Sequence, residues 1–149
     1  MQKIIFLSES LQKILDEKAE KIGITTAAFI TDFLTQAFKY ELNGIPEKSY
    51  VDLNSELKRA VIEYKNALAP GDKFTLRDVE YYKNLSVTTV SGTHAIPVAT
   101  RARLGRSINE DIRKHKSSEF ADAERAMTKT GKPAFSKKDK TSAAIYVKI

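Results

Sequence analysis

Lys3–Leu42 reads KIIFLSESLQKILDEKAEKIGITTAAFITDFLTQAFKYEL. With Gln2 just before it, its start forms the run Gln2–Leu7, rich in β-branched and aromatic residues, that reads as a short strand. Ser8 and Ser10 offer N-cap hydroxyls, and Glu9 suits the positive end of a helix. Leu11, Leu15, Ala19 and Ile22 share one helical face, against a polar face of Gln12, Lys13, Asp16, Glu17, Glu20 and Lys21. Gly23 has the position of a left-handed C′ residue. Thr25 is the next N-cap. A wider, more aromatic face follows through Phe29, Ile30, Phe33, Leu34, Ala37 and Phe38 to Leu42, as in a helix buried on more than one side. Asn43-Gly44-Ile45-Pro46 supplies the stop. One strand and two helices cannot bury this much apolar surface, so the unit calls for a second copy of itself.

The order strand, cap, helix, Gly23-Ile24-Thr25, helix resembles the ribbon-helix-helix (MetJ/Arc/CopG-type) DNA-binding family over about 42 of 149 residues. Leu7-Ser8-Glu9-Ser10-Leu11, Leu15, Ala19, Phe29-Ile30 and Leu34 complete the likeness. The resemblance implies a homodimer whose paired strands enter the DNA major groove. It also implies a phosphate at the N-terminus of the second helix, at Thr25, Thr26 and Ala27. The implied register turns Gln2, Ile4 and Phe6 outward. Of these only Gln2 matches base-edge donors and acceptors. Ile4 and Phe6 suit thymine methyl groups or, alternatively, a protein surface such as the C-terminal domain or another dimer.

Residues 45–52 read as a linker, with Asp52 or Asn54 as the cap of a third helix. Leu53, Leu57, Ala60, Val61, Tyr64 and Leu68 form a seam too short for a coiled coil, which favours packing within the chain. Ala69-Pro70-Gly71-Asp72 is a turn and Lys73-Phe74 a brief strand. Thr75-Leu76-Arg77-Asp78 has capping-box form ahead of a helix carrying Leu76, Val79, Tyr82 and Leu85. Ser86–Ile96 reads as a loop or irregular strand, and His94 within it receives no role. Pro97 opens a helix reaching Lys114, with Leu104, Ile108 and Ile112 on one face and Arg101 at its edge. Arg103, Arg106 and Arg113 project elsewhere. Arg101, Arg103 and Arg106 form a basic cluster without an acid, suited to guanine or phosphate in a groove, or to a solvated face. Gly105 inside the helix marks a close approach by another element or by DNA backbone.

Glu124–Thr128 and Ser142–Lys148 read as strands, with Ile145 and Val147 on one side of the second and Tyr146 on the other. Between them, Gly131–Lys140 reads as a hairpin loop with Lys132, Lys137, Lys138 and Lys140. A helix pair followed by a β wing resembles a winged helix. Residues 70–149 also resemble a small domain of uncharacterised Gram-positive plasmid proteins, through Gly71–Asp78 and Arg103-Leu104-Gly105-Arg106.

Charge agrees with a polyanion partner. The net charge is +6. Residues 1–50 hold 6 Lys/Arg against 7 Asp/Glu, and residues 71–149 hold 16 against 9, so the excess lies in the C-terminal half. Cysteine is absent, which removes disulfides and thiolate chemistry and fits a cytoplasmic setting. No apolar run is long enough for a bilayer. No phosphate-binding loop, HExxH or GxSxG motif occurs, and the two histidines lack ligand spacing. Tyr81-Tyr82 lacks the partners of a relaxase or recombinase tyrosine. The expectation is therefore a mostly α protein with short β, of α+β class. Its divisions are a ribbon-helix-helix domain (1–44), a linker and helix (45–70) and a basic winged-helix-like domain (71–149). Its expected role is that of a cytoplasmic, homodimeric binder of double-stranded DNA, without catalytic residues, metal or cofactor. The dimers can pair further into tetramers. The role is a transcriptional regulator, such as a repressor, or an accessory factor for plasmid conjugation or maintenance. The alternative is a dimeric protein-interaction adaptor, antitoxin-like or relaxase-docking.

Overall fold

The computed structural model describes residues 4–38, 41, 48–85, 98–137 and 142–149. It is a mixed α+β structure with small antiparallel sheets. It divides into two compact units, Met1–Asp52 and Leu53–Ile149.

In the first unit, α1 spans Glu9–Ile22 and α2 spans Thr26–Ala37. Local chemistry sets three of their ends. Ser8 Oγ accepts from Leu11 N at 3.3 Å, and Thr25 Oγ1 accepts from Ala28 N at 3.2 Å, so each hydroxyl satisfies an orphan helix donor. Gly23 closes α1 at φ 75°, where a Cβ would be strained. The helices pack through Ala19 and Ala28, both buried. Small residues at the crossing permit close backbone approach, but they remove little apolar area from water.

Leu7, Leu15, Ile24, Phe29 and Ile30 are half-buried and Tyr50 is buried, but several large side chains of this unit remain outside. Ile4 is 80% exposed, Phe6 93% and Phe33 64%, and Leu34 and Phe38 are exposed too. The broad face expected to be buried on α2 is thus mostly uncovered within one chain. Residues 4–7 have no strand partner among the described residues, and Gln2 lies outside them. α2 also stops at Ala37, short of the expected Leu42; Leu42 and the Asn43–Pro46 stop lie outside the described residues.

α3 spans Tyr50–Asn66. Its cap is neither Asp52 nor Asn54. Ser49 Oγ accepts from Asp52 N at 3.1 Å, and the Asp32 carboxylate of α2 accepts from Tyr50 N at 2.7 Å and Val51 N at 3.4 Å. A carboxylate supplied from 18 residues upstream satisfies two helix donors and complements the dipole.

The second unit builds its own core. Leu53, Leu57 and Val61 on α3 are buried, in keeping with a seam that packs within the chain. After a turn with Gly71 at φ 91°, β1 (Lys73–Phe74) leads to the Thr75–Asp78 capping box. Asp78 Oδ2 accepts from Thr75 N at 2.7 Å there. α4 (Glu80–Asn84) and α5 (Val98–Lys114) follow; the Ser86–Ile96 stretch, His94 and Pro97 lie outside the described residues. Leu104, Ile108 and Ile112 are buried on α5, as their spacing predicts.

The C-terminal strands differ from expectation. β2 is Ala123–Arg125, β3 Phe135–Ser136, β4 Ala143–Ala144 and β5 Tyr146–Lys148. The single strand expected over Ser142–Lys148 is split at Ile145. β4 pairs with β3, while β5 lies between β1 and β2 in the order β1-β5-β2. Ile145 changes partners along its own backbone: its N–H donates to Ala134 at 3.3 Å and its carbonyl accepts from Ala126 at 2.9 Å. β3 lies inside the segment expected to be loop, and Met127 bridges Pro133. Tyr146 is the core-facing residue of β5, with Ile145 and Val147 half-buried.

Lys65 of α3 is 2% exposed and pairs with Asp122, just before β2. The Lys65 ammonium beside Asp122 holds that carboxyl below its usual range. A group with a depressed folded-state pKa stabilises above its unfolded pKa, and loses that stabilisation as pH falls through the folded value. Removing Asp122 strands a buried ammonium. Asp122→Ala should therefore cost about 3 kcal/mol in urea unfolding at neutral pH, the low end for a broken buried pair because Asp122 is partly exposed. The gap between wild type and variant should narrow below about pH 4.

Candidate nucleic-acid interface

α5 carries two opposed faces. Leu104, Ile108 and Ile112 lock one into the core. Arg103, Arg106, Glu110 and Arg113 then recur at spacings of three, four and three, which places them on one outward stripe. Arg103, Arg106 and Arg113 are exposed, and none has a carboxylate partner among the described residues. Glu110 is the acid of the stripe, but Lys114 and Lys116 hold its carboxylate, the latter at 3.4 Å. Those two lysines push its pKa below the usual range. The net field along this stripe is positive.

A cleft of about 590 Å³ lies beside the stripe. Arg106, Asn109, Glu110 and Arg113 of α5 form one wall; Arg125 of β2, Pro133, Phe135 of β3, Ser142, Ala144 of β4 and Tyr146 of β5 supply the rest. Tyr146 donates its hydroxyl to Asn109 Oδ1, tying the sheet to α5. Burial pushes the Tyr146 phenol pKa up, against an opposing pull from Arg125 and Arg113. The Arg125 guanidinium lies 4.5 Å from the Phe135 ring centroid and 5.6 Å from that of Tyr146, and donates to the Ala134 carbonyl at 3.2 Å. Its Nε is buried without an acceptor among the described residues.

The structure disperses the other residues singled out from sequence. Arg101 is half-buried, its guanidinium 4.4 Å from the Tyr82 ring centroid. Lys132 sits in the exposed Thr128–Pro133 turn and Lys137 follows β3; Lys138 and Lys140 lie outside the described residues. Thr25 caps α2. Thr26 Oγ1 donates to Asp16 Oδ1 at 2.5 Å, which sets a carboxylate beside the N-terminus where a phosphate was expected. Ile4 and Phe6 are exposed, and Gln2 is outside the described residues. Arg113 is not among the DNA-binding residues expected from sequence, although its spacing of seven from Arg106 sets both on one helical face, and nothing local marks Arg125 or Phe135.

The tyrosine pair is occupied in packing. Tyr81 donates to Glu56 Oε2 at 2.6 Å. Burial first, and then this bond, push its pKa well up, the reverse of what activates a phenolic nucleophile. Tyr82 is the close approach that Gly105 announced: a Cβ on Gly105 would stand 2.9 Å from Tyr82 Oη. No protein-family model, curated protein or solved structure matches the chain.

Gly105→Ala gains about 1 kcal/mol of helix propensity, but it must displace a ring stacked on Arg101. We expect the single variant to lower the melting temperature. In a Tyr82→Phe background, where the clashing oxygen is gone, the same change should be neutral or stabilising. Additive effects in this double-mutant cycle would refute the contact.

Proposed function

We propose that the chain is a homodimeric double-stranded DNA-binding protein, acting as a transcriptional regulator or as an accessory factor in plasmid conjugation or maintenance. The observation that carries this reading is the unpaired Arg103, Arg106 and Arg113 stripe on α5. A rigid helix presenting arginines, with its opposite face locked in a core, suits a groove lined by phosphates and guanine edges. A winged-helix reading of the C-terminal unit is supported by its element order. α4 and α5 precede the strands, and β1 before the helix pair closes the sheet against β5. The ribbon-helix-helix reading of the first unit is supported by the Ser8 cap, Gly23 and the Thr25 cap.

The dimer rests on an apolar argument. The two fully buried side chains of the helix pair, Ala19 and Ala28, contribute roughly 1–2 kcal/mol, and the half-buried Leu15, Phe29 and Ile30 add part of theirs, against the ordering entropy of two helices. Ile5, Phe33 and Leu34 supply the missing surface only when something covers them. A second copy does so with self-complementary symmetry. Sedimentation equilibrium should give a dimer, and Phe33→Glu a monomer; a monomeric wild type would end the dimer reading.

A gel shift on DNA flanking the gene tests the rest. Affinity should fall steeply between about 50 and 200 mM salt, and the Arg103→Ala/Arg106→Ala pair should lower the log–log salt slope by roughly 2. Binding that ignores both salt and these arginines would sink the proposal.

Asp16 beside the α2 N-terminus and the apolar Ile4 and Phe6 favour a second reading, in which the first unit dimerises and its outer face binds protein. If Ile4→Glu/Phe6→Glu leaves both the dimer and DNA affinity intact, that reading gains over DNA contact by the first unit.

A further inference from the structure

The cleft beside α5 is more selective than a basic patch needs to be. Its volume, about 590 Å³, is in the range of small-molecule sites. Positive groups ring an apolar floor: Arg106 and Arg113 line it from two turns of α5 and Arg125 from β2, around Pro133, Phe135 and Tyr146. Bulk phosphate or a duplex backbone has no use for that floor. Phe135 is 53% exposed although Arg125 already stacks on it, so much of the ring is open to a second planar group.

One buried donor of the cleft lining lacks an acceptor among the described residues. Arg125 Nε is buried without one. Asn109 uses Oδ1 to accept from Tyr146, which leaves its amide NH₂ free to donate to solvent or to a ligand in the cleft. A buried N–H without an acceptor is costly, so a small shift of the Arg125 side chain that presents Nε to an oxygen or ring nitrogen of a ligand would recover that cost. Glu110 would oppose an anion, but Lys114 and Lys116 engage its carboxylate.

We infer that this cleft binds a single nucleotide unit, its base against Phe135 and its phosphate held by Arg106 and Arg113. The inference deepens the nucleic-acid reading of α5 by naming what one site there takes. A base offers the planar face for stacking and the acceptors for Asn109 and Arg125. A phosphate offers the oxygens that guanidinium groups bind in pairs. The nucleotide can come free from solution or as one residue of a single strand, and the two sources share this chemistry.

Calorimetry on the full-length protein tests it with thymidine 5′-monophosphate, thymidine, inorganic phosphate and a deoxythymidine oligomer of about ten residues. The monophosphate or the oligomer should bind, and thymidine and phosphate should each bind at least roughly tenfold more weakly. Phe135→Ala and Arg113→Gln should each weaken binding by roughly tenfold, whereas Phe135→Tyr should keep it. Both altered side chains are exposed, and unchanged melting temperatures would establish that the variants fold. Binding of the monophosphate alone identifies a free nucleotide. Binding of the oligomer, with the monophosphate competing, identifies a single strand. Inorganic phosphate binding as tightly as the nucleotide, no binding of either nucleotide probe, or binding indifferent to Phe135 and Arg113 would overturn the inference. Duplex binding is scored separately by gel shift, so loss of one reading is distinguishable from loss of the other.

Discussion

Tyr146 is the group on which the C-terminal unit turns. Its ring lies 5.6 Å from that of Phe74 in the adjacent strand β1, its hydroxyl reaches Asn109 on α5, and Arg125 of β2 packs on it. One side chain thereby joins the first strand of the unit, its longest basic helix and its last hairpin. The register that puts Phe74 opposite Tyr146 places both in the core. A one-residue slip would exchange Tyr146 for Ile145 or Val147, separating α5 from the sheet. The Arg106–Arg113 wall and the Phe135 wall of the cleft face each other because this contact holds.

Features set by near neighbours were legible in the sequence. Ser8 and Thr25 cap helices because a hydroxyl sits three residues before an orphan N–H, and Gly23 ends α1 because only glycine accepts its backbone freely. The α5 core face followed from spacing alone. What escaped depends on residues distant in sequence. Asp32 caps α3 from α2, a bond no local pattern encodes. The split at Ile145 arises because its N–H and carbonyl find different strands, although the surrounding alternation is unbroken. The cleft failed to appear for the same reason. Arg106 and Arg113 share a helix, but Arg125 and Phe135 join them only through pairing of β2, β3, β4 and β5.

Basic residues in this chain serve unlike ends, and burial separates them. Lys65 is buried and paired with Asp122, so its charge secures the fold at a cost in desolvation. Arg101 stacks on Tyr82 and fixes α5 against α4. Arg103, Arg106 and Arg113 are exposed and unpaired, the condition in which a cation still has its interaction energy to give to a partner. Net charge alone would count all five equally.

The two units differ in how nearly complete each is within one chain. The second buries Phe74, Leu104, Ile108, Phe120 and Tyr146 fully. Side chains of that size contribute about 1.5–3 kcal/mol each, enough to offset a substantial part of the ordering entropy. The first has good caps and a correct turn but buries only Ala19, Ala28 and Tyr50, with Leu7, Leu15, Ile24, Phe29 and Ile30 half-buried, since local signals specify its helices without supplying the area that stabilises them. Caps are worth about 1 kcal/mol apiece and cannot substitute for burial. A unit whose ends are well specified and whose large apolar side chains are mostly uncovered gains stability from anything that covers them, and where association does so, folding becomes concentration-dependent.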